Sequence, residues 1–324
     1  MTRRPTIVLL ATGGTIAGAA ASATDTTGYT AGALSADTLL AAVPGLGDVA
    51  HLRAEQLFNL DSRDMGPAHW LAMARRVRSV LDESRVAGVV ITHGTDTLEE
   101  SACFLDATLA SHKPVVLTGA MRPATALSAD GPMNLYNAVC VAAHPDSAAR
   151  GVLVSLGASI LAAAGVRKGH IGRLEAFCAS DGGCVGQTGP VRFFAPPPAR
   201  PAPLALPDSA AQLPRVDVLY VGAGCPPEAL EQAVASGARG IVLALPGNGS
   251  VPAAWRDAVA HAVAGGVPVV RASRAGAGAV TPAADDAELG TLPAGDRPAS
   301  AVRVAVMLAL ATGSGAELAR LLRP

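Results

Sequence analysis

Two threonines, Thr12 and Thr95, stand where a hydroxyl could attack a carbonyl, each at the end of an apolar run and inside a glycine-bearing corner. Ile7 to Ala11 runs into Thr12-Gly13-Gly14-Thr15, and Val89 to Ile91 into Thr92-His93-Gly94-Thr95-Asp96-Thr97. A threonine hydroxyl is a weak nucleophile unless a base or cation assists it. Asp96 follows Thr95 directly, and Lys168 sits in Val-Arg-Lys-Gly-His. A hydroxyl, a desolvated lysine and an orienting acid can make a proton relay. Of 25 basic residues only two, Lys113 and Lys168, are lysine. A chain that writes arginine wherever charge suffices keeps lysine where a proton must be exchanged, because guanidinium does not give one up near neutrality. The competing readings are a tight turn at Thr12 and a solvated surface lysine at 168.

Neighbouring signals carry less. His93 has no second histidine or cysteine at metal spacing and reads as a packed, hydrogen-bonded neighbour. Gly13-Gly14 followed by Gly18 lacks the spacing of a dinucleotide fingerprint. Asn248-Gly249-Ser250 matches a glycosylation acceptor and reads as a turn.

An apolar run ending at once in Gly and Thr predicts a buried parallel strand opening onto a ligand loop. Similar runs recur at Val115–Leu117, Val152–Leu156, Val216–Val221, Ile241–Leu245 and Val267–Val270. Helical periodicity lies between them, over 68–85 behind Pro67, over 97–110, over 228–235 after Pro226-Pro227 and over 253–264 after Pro252. The alternation predicts an α/β fold: a larger N-terminal, doubly wound, mostly parallel sheet domain over 1–195 and a smaller C-terminal α/β domain over 215–324. The proline-rich stretch 196–214 between them reads as a linker. Residues 19–33, around Tyr29, read as an irregular lid.

The chain has 324 residues, is 50% apolar and 16% charged, and carries a net charge of −1. Its basic residues are scattered, which excludes the footprint that nucleic acid or an anionic membrane requires, and points to a small-molecule partner. The longest apolar stretch, near Val304 to Ala311, is far short of the ~20 residues of a membrane helix. The five cysteines are odd in number and unpaired in spacing, and read as buried thiols. Arg3-Arg4, the apolar run and Ala21-Ser22-Ala23 imitate a secretory signal, but the run is too short and Thr12 to Thr15 break it, so a cytoplasmic location is expected.

Taken together, these segments resemble the bacterial L-asparaginase family with two threonine-centred triads. The likeness rests on Ala11-Thr12-Gly13-Gly14-Thr15-Ile16-Ala17-Gly18 and Ile91-Thr92-His93-Gly94-Thr95-Asp96-Thr97-Leu98-Glu99-Glu100. Tyr29-Thr30-Ala31-Gly32, Asp61-Ser62-Arg63-Asp64-Met65, Thr118-Gly119-Ala120-Met121-Arg122-Pro123, Ser128-Ala129-Asp130-Gly131-Pro132-Met133-Asn134-Leu135 and Gly247-Asn248-Gly249 extend it. The resemblance implies that Thr12, assisted by Tyr29, attacks the side-chain amide of asparagine. Thr95, Lys168 and Asp96 would form the second triad. Ser62, Arg63, Asp96, Ala120 and Asn248 would line the substrate's seat, Asn248 reaching it from a neighbouring subunit of a homotetramer. No metal or organic cofactor is implied. Broader activity on glutamine, or an amino-acid sensor without catalysis, are the alternatives.

Three departures from the family pattern are visible. Arg63 stands where a glutamine or glutamate is usual, and Ala283-Ala284 precede Asp285-Asp286 where a glutamate would complete the first triad. The stretch 170–189 is unlike the best-known secreted members.

Overall fold

The protein is described by a computed structural model covering residues 4–180, 183–206, 210–313 and 315–322. Residues 207–209 of the expected linker, 181–182 of the unusual stretch, and Arg3 of the signal-like start lie outside the described residues. The chain divides into two compact units, 1–203 and 204–324.

The first unit is built on strands β1 (Thr6–Gly13), β2 (His51–Leu60), β3 (Val86–Thr92), β4 (Val115–Thr118), β5 (Val152–Leu156), β6 (Ser159–Ala162), β9 (Gly186–Gln187) and β10 (Arg192–Phe193), with β7 (Arg167–Lys168) and β8 (Phe177–Cys178) forming a separate hairpin. The sheet order is β10-β9-β6-β5-β4-β3-β1-β2. From β2 to β5 every pairing is parallel, and from β5 to β10 every pairing is antiparallel. β1 and β3 are buried along almost their whole length, as strands covered on both faces must be. Successive residues of a strand point to opposite faces. Ile7, Leu9, Val90, Val116 and Leu153 share one core with helices α1 (Ala36–Ala41), α2 (Leu46–Val49) and α5 (Gly131–Ala143). Val8, Leu10, Val89 and Ile91, also buried, face the other side, where α3 (Pro67–Leu81) and α4 (Leu98–Thr108) pack on the sheet.

Each apolar run read as a strand contributes to one. β2 has no counterpart among them, because His51-Leu52-Arg53-Ala54-Glu55 gives an edge strand only half-buried side chains and no apolar run. Its Arg53 and Glu55 instead form two-pronged ion pairs with Glu83 and Arg76. The lid is less irregular than expected, since Ala19 and Thr30 form an antiparallel bridge that closes its base.

The second unit holds the parallel sheet β11 (Val216–Tyr220), β12 (Gly240–Leu245), β13 (Val269–Ser273) and β14 (Leu292–Pro293). Helices α6 (Glu228–Ala235), α7 (Arg256–Ala264) and α8 (Ala284–Leu289) precede α9 (Ala299–Thr312) and α10 (Gly315–Leu322). The apolar run near 304–311 is the centre of α9, which packs on β11, β12 and β13 and ends at Gly313 in the left-handed conformation. Among the described residues no helix is long and apolar enough to cross a membrane. The cysteines correct one expectation: all five are free, but only Cys103 is buried and Cys184 is exposed.

Candidate active site

In the large sheet, the chain crosses from β1 to β2 on one side and later returns to build β3, β4 and β5 on the other. Such a reversal opens a crevice at the carboxyl ends of the strands. Thr12 lies at the end of β1, Ser62 just beyond β2, Thr95 just beyond β3 and Ala120 just beyond β4. Four of the residues picked out by sequence are thereby brought to one edge of one sheet.

Glycines let the corners touch. Gly14 has φ +79° and packs on the backbone of residue 94, where a β-carbon would stand 2.4 Å from Gly94 Cα. Gly94 in turn faces Ser62, whose Oγ would be 2.6 Å from a β-carbon there. The Thr12 hydroxyl donates to Thr92 O at 2.9 Å, a bond from the first corner to the second. A carbonyl can hold that hydrogen but cannot take it as a proton, so attack by Thr12 requires the hydroxyl to turn to another acceptor. The Gly14 N–H is committed to Leu60 O at 2.8 Å and is not free to stabilise an oxyanion.

The structure brings Thr95, Asp96 and Lys168 together. Lys168, on the β7–β8 hairpin, places Nζ 2.9 Å from Thr95 Oγ1 and 2.6 Å from Asp96 Oδ1. The lysine side chain is only 17% exposed while that of Asp96 is 60% exposed, so the ammonium is shielded and the carboxylate keeps an open side for a cationic ligand. Ser62 Oγ accepts the N–H of Asp96 at 3.2 Å, and Thr97 Oγ1 donates to Ser62 O at 2.7 Å. Ser62 therefore keeps its own hydroxyl hydrogen for a ligand carboxylate.

Behind this corner, Trp70 Nε1 donates to Ser101 Oγ at 3.0 Å, Ser101 Oγ lies 2.8 Å from His93 Nε2, and His93 Nδ1 lies 2.7 Å from Gly94 O. The indole can only donate and the carbonyl can only accept, so the serine donates to Nε2 and the imidazole is neutral with its hydrogen on Nδ1. Complete burial pushes its pKa down to about 4, the bond to Gly94 opposing the shift. His93 is the packed neighbour that the sequence suggested.

Tyr29 OH lies 2.6 Å from Thr15 Oγ1, the next hydroxyl along from Thr12. Arg63 is 74% exposed and pairs with Asp61 at 2.8 Å, and Asp61 also caps the Arg63 N–H. The methyl of Ala120 belongs to the core, which leaves only its backbone for a ligand. In the second unit, both ends of the Asn248 carboxamide are taken up by Thr281, Nδ2 to Oγ1 at 2.9 Å and Oδ1 from N at 2.8 Å. Ala283 caps α8 through its N–H to Asp286. Sequence reasoning does not single out Thr15 or Glu99. The first is hidden behind Thr12 in the same corner. The second binds the Lys168 N–H from 69 positions away, a pairing that no spacing reveals.

Comparison with known proteins supplies the context. The family model described as "Asparaginase, N-terminal" matches residues 6–199, and the "Glutaminase/Asparaginase C-terminal domain" matches residues 215–322. The chain is 42% identical over 309 residues to "L-asparaginase 2" of Bacillus subtilis, covering 94% of this chain and 82% of that one. It is 41% identical to "Probable L-asparaginase periplasmic" of Haemophilus influenzae, over 94% and 88% of the two chains. The crystal structure of a "Probable Cytoplasmic L-asparaginase" from Campylobacter jejuni superposes with a TM-score of 0.93 at 40% identity, over 98% and 99% of the two chains.

Proposed function

From the premise that the chain belongs to the asparaginase family, we propose that it hydrolyses L-asparagine to aspartate and ammonia through an ester on Thr12. The observation that carries the reading is the Thr95–Lys168–Asp96 cluster standing at the same sheet edge as Thr12.

In this reading Thr12 Oγ adds to the side-chain amide carbon, the C–N bond breaks, and the amide nitrogen leaves as ammonia after taking up the threonine proton. Water then adds to the ester carbon, the bond to Thr12 Oγ breaks, and aspartate departs. Lys168 and Thr95 move the protons, a task for which an ammonium is suited and a guanidinium is not. Asp96 steadies Lys168 with one oxygen and the substrate's α-ammonium with its open side. Ser62 and the backbone at Ala120 hold the α-carboxylate, with Arg63 adding positive charge at the rim. Tyr29 assists Thr12 from the lid. Asn248 reaches the substrate from a neighbouring copy in a homotetramer, and exchanges its Thr281 partners for the ligand when it does so. The reading keeps 1–195 as the catalytic domain, 196–214 as linker and 215–324 as the C-terminal domain.

The proposal includes a cytoplasmic location, supported by the name of the Campylobacter jejuni protein and opposed by that of the Haemophilus influenzae one. Cell fractionation of the native host decides it, and light scattering of the purified protein decides the tetramer. The central test is ammonia release from asparagine and from glutamine, with Thr12→Ala as control. The reading requires turnover of asparagine that Thr12→Ala abolishes. Equal use of glutamine makes the enzyme a broad glutaminase-asparaginase. Tight binding of asparagine without turnover makes it a sensor, the second reading, which the lack of a carboxylate at Ala283 favours.

A further inference from the structure

The loop that leads from β4 to α5 closes on itself through one side chain, and the lid rests on that loop. We propose that Asp130 is a positioning residue: by closing loop 121–130 it holds ready both the Ala120 end of the substrate's seat and the ledge under the lid. The inference rests on the proposed hydrolysis and concerns a residue to which that mechanism gives no role.

Asp130 stands at the start of α5. Its Oδ2 accepts the Met121 N–H and its Oδ1 the Arg122 N–H, each at 2.9 Å. Oδ2 also accepts Asn134 Nδ2 at 3.0 Å, one turn further along the helix. The same Nδ2 donates to Gly119 O at 3.0 Å, while Asn134 Oδ1 accepts the Gly157 N–H at 3.0 Å. The backbone on both sides of Ala120 is thereby fastened to the helix, at 119 by a carbonyl and at 121 by an N–H. Two glycines show how closely it is held. A β-carbon at 119 would stand 2.6 Å from His93 O and 3.1 Å from Thr95 Cγ2, and one at 131 would stand 3.4 Å from the Ala120 methyl. Residues 119 and 120 are thus set between the Thr95 corner and the start of α5.

Beyond the closure, the loop meets the lid. Ala124 N donates to Gly18 O at 2.9 Å, Ala20 N to Thr125 Oγ1 at 2.9 Å, and Leu127 N to Ala23 O at 2.8 Å. Ser128 is held at φ +55°, and its carbonyl accepts Arg122 Nη1 at 3.0 Å. A residue with a side chain keeps that left-handed conformation only where its surroundings impose it. The segment is therefore a folded ledge, and its two ends are joined at Asp130.

The joint suits an ionised carboxylate. Three N–H bonds converge on two oxygens, and a carboxylate offers acceptors alone, so all three are met without a competing hydrogen. An asparagine there would turn its own NH2 towards a donor at one of the two positions, and the loop would stand open part of the time. Substrate would then find the seat and the ledge formed in only a fraction of the molecules. Apparent affinity falls by that fraction, whereas the complex, drawn closed by its ligand, reacts at nearly the usual rate.

The test compares wild type, Asp130→Asn, Thr125→Val and the double variant, by amide exchange of residues 19–33 without substrate and by kcat and KM on asparagine. We expect Asp130→Asn to speed exchange of the lid about tenfold while β1 and β3 exchange as before, and to raise KM about tenfold with kcat within about threefold of wild type. Thr125→Val removes one lid bond and leaves the closure intact, so it should speed lid exchange on its own but add less than about twofold once Asp130 is Asn. An unmoved lid in Asp130→Asn, a loss confined to kcat, or full additivity of the two substitutions overturns the proposal. If Asp130→Asn does not fold, Asp130→Glu keeps the charge but overreaches the joint, and must show the same rise in KM with the same quickened lid. Should the wild type release no ammonia from asparagine, the hydrolase reading fails by itself, and the exchange cycle decides the inference by the same outcomes.

Discussion

Glu99 accepts the backbone N–H of Lys168 at 2.5 Å, so the residue whose ammonium serves Thr95 and Asp96 is anchored to the first turn of the helix that follows them. Backbone and side chain of Lys168 are thus fixed from the same segment, although the lysine arrives from a different hairpin. Lys168→Arg keeps the charge and removes the exchangeable proton. General acid–base groups supply roughly 10²–10⁴ in rate, so kcat should fall by about a hundredfold or more. Ammonia release by the purified variant measures it, and near-normal turnover would sink the relay.

Arg63 is expected to contribute to binding and not to the chemical step, because its guanidinium stays at the exposed rim beside Asp61. Arg63→Gln should raise KM for asparagine about threefold and leave kcat unchanged, as loss of uniform binding does. A fall in kcat at constant KM contradicts this placement.

His93 makes stability depend on acidity. Its pKa lies near 4 in the folded protein because burial disfavours the charged ring, against about 6.5 in the unfolded chain. Between these values the unfolded chain holds more protons, so stability is complete above about pH 6.5 and declines as the pH falls toward 4, by about 1.4 kcal/mol per unit. Urea midpoints across this range should fall more steeply for the wild type than for His93→Gln. Parallel curves would show that the imidazole is not the group responsible.

Arg271 is 1% exposed and spends all five of its N–H donors, two on Asp286 at 2.6 Å each and the others on Asn248 O, Gly249 O and Thr281 O. Burial alone would raise the pKa of Asp286, but the bonds from Arg271, Thr291 Oγ1 and Ala283 N outweigh it and hold the carboxyl below its usual range. Arg271→Met strands that carboxylate and should cost about 3–5 kcal/mol in a denaturant titration. Arg271→Lys should rescue little, since three donors on one nitrogen cannot reach carbonyls spread around a planar fork. A stable Arg271→Met would mean that the loop at 247–249 is held by other means.

The sequence exposes those parts of this molecule that follow one physical rule at a time. Strands buried on both faces must be apolar throughout, which is why the runs at Ile7, Val89, Val115 and Ile241 stand out and the half-polar β2 does not. Scarcity of lysine singles out Lys168, yet the same argument applies to Lys113, whose ammonium meets Leu81 O at 2.5 Å, at the last residue of α3, and Glu83 O at 2.9 Å just beyond it. There the compact ammonium serves as a cap, not as a proton carrier. The corner Thr12-Gly13-Gly14-Thr15 advertises a hydroxyl, but which of its two threonines meets Tyr29 depends on how the lid folds back, information held in backbone bonds far apart in the chain.

The two margins of the large sheet differ in kind. One is the two-residue strand β10, too short to recruit a partner, and the other is β2, whose Arg53 and Glu55 are already engaged with Glu83 and Arg76. A foreign chain seeking to extend this ladder would have to add to a stub or break two charge pairs. Misassembly by strand templating is therefore discouraged even in variants that loosen the crevice, and such proteins should remain dispersed at concentrations suited to kinetic work.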